Sequence, residues 1–281
     1  MKKLLTLFLV AVCCSLQLMA QPLKVTRVTL LPGTEQGGFY HPRFSPKGSY
    51  LITTAENYAG LNRHDLLNGT KRVLTTAEGA GYGLQISPDE QTVTYRCQEL
   101  RQNIRHMSLE QINVSTGTQR TLRRMAPKTI LPAEAVEATF ITIEHQKMVL
   151  HRAGKQTVLA PNGDDESYFW ASVSPDERHI VYVTAHHGTY VCDIDGANPR
   201  PMGWLNAPQW INNGWVVGMQ DKDDGHVVLS SALVARAIDG TASQVLPTTQ
   251  KVAMYPAVSA DGKHIAFNTL EGQIYIMEVQ L

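Results

Sequence analysis

Cysteine is scarce in this chain of 281 residues: there are four, and two of them, Cys13 and Cys14, fall within the first 20 residues. The two that remain, Cys97 and Cys192, are too few for a disulfide scaffold. Each lies in a strand-like run. A pair of buried thiols and one long-range bridge both stay open, whereas a cysteine-rich metal site is excluded. Net charge is lacking too, because 25 Lys and Arg residues balance 25 Asp and Glu. No field of one sign favours a polyanion, and a nucleic-acid partner is not expected. Beyond residue 20 there is no apolar run of the roughly 18–20 residues that a membrane-spanning helix needs, so the chain is not expected to cross a bilayer.

Sequences that carry common chemistries are missing as well. There is no G-x-S-x-G elbow for a serine hydrolase, no H-E-x-x-H, no C-x-x-C and no glycine-rich P-loop with lysine. Residues 1–20, MKKLLTLFLVAVCCSLQLMA, place two lysines before an apolar run and end on a small residue, the pattern of an export leader. Removal of 1–20 leaves 21–281 as a single domain with a periplasmic or secreted location. Val12 and Cys13 precede the two leader cysteines where a lipoprotein signal has other residues, so a lipid anchor is not expected.

What is present is repetition. The turn-like tetrapeptides SPKG (45–48), SPDE (87–90), SPDE (174–177) and SADG (259–262) each follow a short alternating run. Each is followed by a second strand-like run: SYLITTA, QTVTYRC, RHIVYVT and KHIAFNT. Proline sets φ for the first central turn position, aspartate bonds the backbone two residues on, and glycine accepts positive φ. Glu90 and Glu177 stand where that glycine is expected, which predicts a slightly different turn in those two copies. Later D-G pairs, in TYVCDIDGANPRPM and LVARAIDGTASQVL, supply a further bend before a fourth strand.

The intervals Ser45–Ser87, Ser87–Ser174 and Ser174–Ser259 leave room for two hidden units. One is placed at 136–159 with Glu144–Lys147 as its turn, the other at 207–221 with Asn212–Gly214 as its turn. Six units of four antiparallel strands at this period predict an all-β, six-bladed β-propeller, since each small sheet covers its apolar faces only by packing on both neighbours. The last unit runs out after three strands, while KVTRVTLL at 24–31 is an orphan. The orphan is expected to complete the last blade, closing the ring and removing exposed edges.

The recurrent aromatic or proline, alternating run, S-P-D-G turn and later D-G resembles the WD-type repeats of the TolB-like propeller family, over essentially the whole of 21–281. Tyr40–Gly48, Tyr82–Glu90, Tyr168–Glu177 and Tyr255–Gly262 carry the likeness. The resemblance implies a propeller that docks an envelope protein or peptide on its channel face. TolB proteins also carry an amino-terminal α/β domain, which this sequence lacks the length to hold, so a stand-alone binding module is implied. Propellers of the oligogalacturonate-lyase kind use channel histidines and a divalent metal. A metal-assisted carbohydrate-active enzyme is therefore the alternative.

The innermost strand of each blade lines the channel, so the residues ahead of each turn are candidate ligand contacts. They are Tyr40, His41, Arg43, Tyr82, Tyr168, Trp170, Trp210 and Tyr255, together with Gln85, Glu137 and Gln209. Aromatic rings with polar tips suit a peptide segment or, alternatively, a sugar. No catalytic residue, metal ligand or cofactor is assigned. Among ten histidines, His179 and His264 recur at equivalent repeat positions, and the adjacent His186 and His187 point to opposite sides if extended. DKDDGH (221–226) has the wrong spacing for a calcium loop and is read as a hairpin tip.

Overall fold

The computed structural model describes residues 22–102, 104–125, 139–250 and 252–280. The predicted leader, 1–20, lies outside them, as does Glu137. Strand β1 (Lys24–Leu30) precedes six small antiparallel sheets. Blade one holds β2 (Tyr40–Phe44), β3 (Tyr50–Thr54), β4 (Leu61–Asp65) and β5 (Lys71–Thr75). Blade two holds β6 (Gln85–Ile86), β7 (Thr92–Arg101), β8 (Ile104–Asn113) and β9 (Gln119–Met125). Blade three has three strands among the described residues, β10 (Phe140–Glu144), β11 (Lys147–Arg152) and β12 (Lys155–Leu159). Three of the expected four strands are thus described here, and after β12 the chain passes through a short loop straight into blade four. That blade comprises β13 (Tyr168–Val173), β14 (His179–Thr184), β15 (Gly188–Asp193) and β16 (Arg200–Gly203). Blade five comprises β17 (Asn206–Trp210), β18 (Trp215–Asp223), β19 (Val228–Ala237) and β20 (Ser243–Val245).

Blade six closes the ring. Its strands β21 (Met254–Val258), β22 (His264–Asn268) and β23 (Ile274–Gln280) are completed by β1, in the order β1-β23-β22-β21. Lys24 pairs with Gln280 and Leu30 with Tyr275, so the first strand latches the last sheet as expected.

The apolar clusters lie between successive sheets, as the propeller architecture demands. Tyr50 and Ile52 of blade one pack with Val93, Tyr95 and Ile112 of blade two. Met148 and Leu150 of blade three meet Ile180 and Tyr182 of blade four. Trp210 and Val216 face Val181 and Val191, Val217 and Leu233 meet Ile265 and Phe267, and Leu51 meets Ala266 and Ile274. Buried phenols keep hydrogen-bond partners: Tyr50 donates to the carbonyl of Glu90, Tyr168 to that of Gly163 and Tyr182 to Asn162 Oδ1. No disulfide joins Cys97 to Cys192, which belong to blades two and four. Burial pushes the Cys192 thiol up to about 12.

The repeated turn is built by its serine and its acid. Ser45, Ser87, Ser174 and Ser259 each accept, through Oγ, the backbone N–H five residues on. Three of them also donate to Asp89, Asp176 or Asp261, and each of those carboxylates accepts an N–H two residues further along.

The fourth turn position departs from expectation. Glu90 (φ 66) and Glu177 (φ 56) adopt the same left-handed conformation as Gly48 (φ 72) and Gly262 (φ 70). The turn is unchanged, and the glutamates instead reach the preceding blade. Glu90 accepts the backbone N–H of Lys47 at 2.6 Å and the Ser49 hydroxyl at 2.5 Å, and Glu177 accepts the Thr139 hydroxyl at 2.6 Å. Such strain persists only where surrounding contacts offset it.

Candidate binding site at the channel mouth

Four inner strands share a backbone defect. Pairing between the first two strands slips between Tyr40 and Arg43, Phe169 and Ser172, Asn206 and Gln209, and Met254 and Ala257. Inside each slip sits a non-glycine residue with positive φ: His41 (50), Trp170 (46), Ala207 (48) and Tyr255 (50). Blade two has Gly83 (φ 67) at the matching distance from its turn serine. A bulge re-aims the side chain it carries, and each left-handed non-glycine residue costs roughly 1–2 kcal/mol. The ring thus repeats one strained geometry at one level and loads it with aromatic residues in three blades.

The rings meet across blade boundaries. His41 stacks on Tyr58 at 4.0 Å with planes 15° apart, and touches Tyr255 at 4.2 Å. Tyr58 in turn meets Tyr82 edge to face at 5.5 Å, and the Arg96 guanidinium lies 5.4 Å over the Tyr82 ring. The result is an aromatic arc through blades six, one and two, open at Tyr82, which is 56% exposed. Trp170 in blade four is 45% exposed. Burial pulls the His41 imidazole down to about 4, so it serves as a neutral flat ring at neutral pH. Burial also raises the phenols of Tyr58 and Tyr255.

Arg43 donates to the carbonyl of Leu84 at 3.1 Å, bracing blade one against blade two. Its side chain is exposed to solvent, and desolvation by the neighbouring protein lowers its pKa. A guanidinium keeps its charge regardless.

Two of the other proposed contacts are core residues. Tyr168 is fully buried, part of the core between blades three and four. Trp210 is also buried, its indole donating to the carbonyl of Ser172. Tyr40 is half-buried, its ring lying where a Cβ on Gly272 would stand, 2.8 Å away. Gln85 is exposed and Gln209 half-buried.

Tyr58 and Arg96 were not foreseen. Tyr58 sits in the loop after β3, in a short 3-10 turn where Asn57 (φ 54) and Tyr58 (φ 59) are both left-handed. No repeat marks that loop in the sequence.

Several histidines have partners of their own. His64 contacts Thr53 and His151 stacks on Phe140. His186 and His187 correct the expectation of opposite sides: they lie in a turn, and both Nδ1 atoms reach Glu166, at 3.1 and 2.7 Å. Burial would raise the Glu166 carboxyl, but the bonds from His187 and His186 outweigh it and hold the group below its ordinary range. Their ring centroids stand 6.2 Å apart. Among the described residues, no group of three or more His, Cys, Asp or Glu side chains is arranged to hold a metal ion. At 221–226, Asp223 and Asp224 accept backbone N–H groups of the hairpin tip itself. No described helix is long and apolar enough to cross a membrane.

No family model matches the chain, and no curated protein matches it. Solved structures do. TolB from Acinetobacter baumannii is 17% identical with a TM-score of 0.56, over 78% of this chain and 56% of that one. A putative TolB from Agrobacterium tumefaciens is 16% identical with a TM-score of 0.57, over 86% and 90%. An oligogalacturonate lyase in complex with manganese is 16% identical, covering 86% and 78%, at a looser TM-score of 0.46. The chain is thus a six-bladed β-propeller. Its fold is of the TolB-like kind, and it spans little more than half the length of the Acinetobacter protein.

Proposed function

We propose that the chain is an exported, non-catalytic propeller that binds a protein partner, through an extended peptide segment, at the mouth of its channel. The supporting observation is the repeated left-handed bulge that turns His41, Trp170 and Tyr255 out of the strand alternation, with Tyr58 and Tyr82 extending the arc. Stiff rings with polar tips give large contact area at low entropic cost. The TolB-like fold and the leader-like residues 1–20 accord with an envelope partner.

A double variant, Tyr82→Ala with Trp170→Ala, removes exposed rings without opening the core. Envelope extracts passed over wild-type and variant protein test the reading. Loss of the captured protein with the variant is expected; equal recovery, or capture of an oligosaccharide instead, contradicts it.

A further inference from the structure

Outer strands of a propeller are sheet edges, and edges that do not pair are normally protected by charge, proline, bulges or brevity. Five of the six here follow that rule. Pairing of β1, β5, β9 and β16 to their inner neighbours is broken by a register shift; β9 also carries Arg120, Arg123 and Arg124, and β16 carries Pro201. Strand β20 is only three residues long. Blade three differs. Its outer strand β12, KQTVL, pairs with β11 over five residues without interruption and has no outer neighbour among the described residues.

The backbone dictates which groups that edge offers. Strands β11 and β12 are joined by Ala153 and Gly154, both left-handed (φ 48 and 73), the geometry of a two-residue hairpin. Arg152 and Lys155 are therefore a hydrogen-bonded pair, and by alternation Lys155, Thr157 and Leu159 bond inward. Gln156 and Val158 point their N–H and C=O groups outward. Residues 155–158 are exposed on both faces, with Val158 at 66%.

We infer that β12 is a self-complementary edge which pairs antiparallel with β12 of a second copy of this chain, making one six-stranded sheet across a two-fold axis at Thr157. That register sets Gln156 opposite the partner's Val158, and Val158 opposite the partner's Gln156. Both pairs exchange two hydrogen bonds, so every outward group is used. Thr157 meets its own copy, a favourable cross-strand pair. Lys155, the one charge on the strand, lies opposite the partner's Leu159, and the two lysines stand about 13 Å apart along the strands, beyond the ~8 Å screening length at physiological salt. The interface is small, so the dimer is weak and concentration-dependent.

Sedimentation equilibrium over about 5–500 µM protein, a range suited to weak interfaces, tests the inference with two variants. Val158→Pro removes an outward N–H and leaves the ladder to β11 intact. Thr157→Lys sets like charges directly opposite each other. Wild-type protein is expected to dimerise reversibly, and each variant to raise the dissociation constant by about tenfold or more, with an unchanged circular dichroism spectrum. A chain monomeric throughout the range overturns the inference. So does a dimer indifferent to Thr157→Lys, which decides the matter should Val158→Pro fail to fold.

Discussion

Replacing Glu90 and Glu177 by glycine, one at a time, should give different outcomes from the same chemical change. Both residues hold the same left-handed turn position. Glycine removes a conformational cost of roughly 1–2 kcal/mol but adds about 0.5–1 kcal/mol of unfolded-state entropy, so the backbone effects nearly cancel. The side chains then decide. Glu90 is 7% exposed and accepts two hydrogen bonds from blade one; bonds to a charged group contribute about 1.5–3 kcal/mol each. Glu177 is exposed and accepts one, from Thr139, which solvent competition reduces to about 0–1 kcal/mol. Two such bonds, less a net backbone gain of up to about 1.5 kcal/mol, make Glu90→Gly destabilising by about 2–5 kcal/mol, lowering the melting temperature by roughly 4–20 °C. Glu177→Gly should stay within about 1 kcal/mol of wild type. Urea unfolding of the three proteins measures this, and equal losses would refute the idea that the two glutamates differ through interblade bonding.

Glycines at the same turn position should also diverge. A Cβ on Gly48 meets nothing within 4 Å, whereas one on Gly262 would stand 2.3 Å from the carbonyl oxygen of Ile211. Gly262→Ala is thus expected to cost about 1–3 kcal/mol more than Gly48→Ala, read from denaturation midpoints. In acid, Glu166 matters. Its native pKa lies below the ordinary 4.5, so its stabilising contribution is present above that value and is lost as pH falls through the lower, native one. Glu166→Gln should lower stability near neutral pH and flatten the decline below about pH 4.5; a melting-temperature curve parallel to wild type down to pH 3 would contradict the His186–Glu166–His187 contact.

The blades were legible because turn chemistry is local. Ser, Pro, Asp and Gly act within five residues, so the S-P-D-G copies located the inner hairpins, and even the unmarked Asn212–Gly214 turn sits between β17 and β18. The latch of β1 onto β23 followed from strand arithmetic. The mouth was harder to read. A bulge inserts a residue and flips the alternation after it, so aligning tyrosines by type placed Tyr168 alongside Tyr40. Counted back from the turn serines, Tyr40 matches Phe169 and His41 matches Trp170 and Tyr255. Tyr58 rides on an irregular loop, and the shared grip of His186 and His187 on Glu166 depends on a turn and a loop from separate stretches of chain. Nor could the glutamates of S-P-D-E be recognised as interblade bonds, because their partners belong to another repeat.

Site-specific photocrosslinking tests the central claim most directly. A photoreactive phenylalanine analogue replaces Tyr82 at the aromatic arc in one protein and Leu67 in another; Leu67 is 89% exposed in the turn between β4 and β5, at the opposite end of blade one. Irradiation in an envelope extract should give a discrete crosslinked species from position 82 and none from position 67. Crosslinking at 67 alone, or equal labelling at both, would show that partners meet this propeller somewhere other than the mouth of its channel.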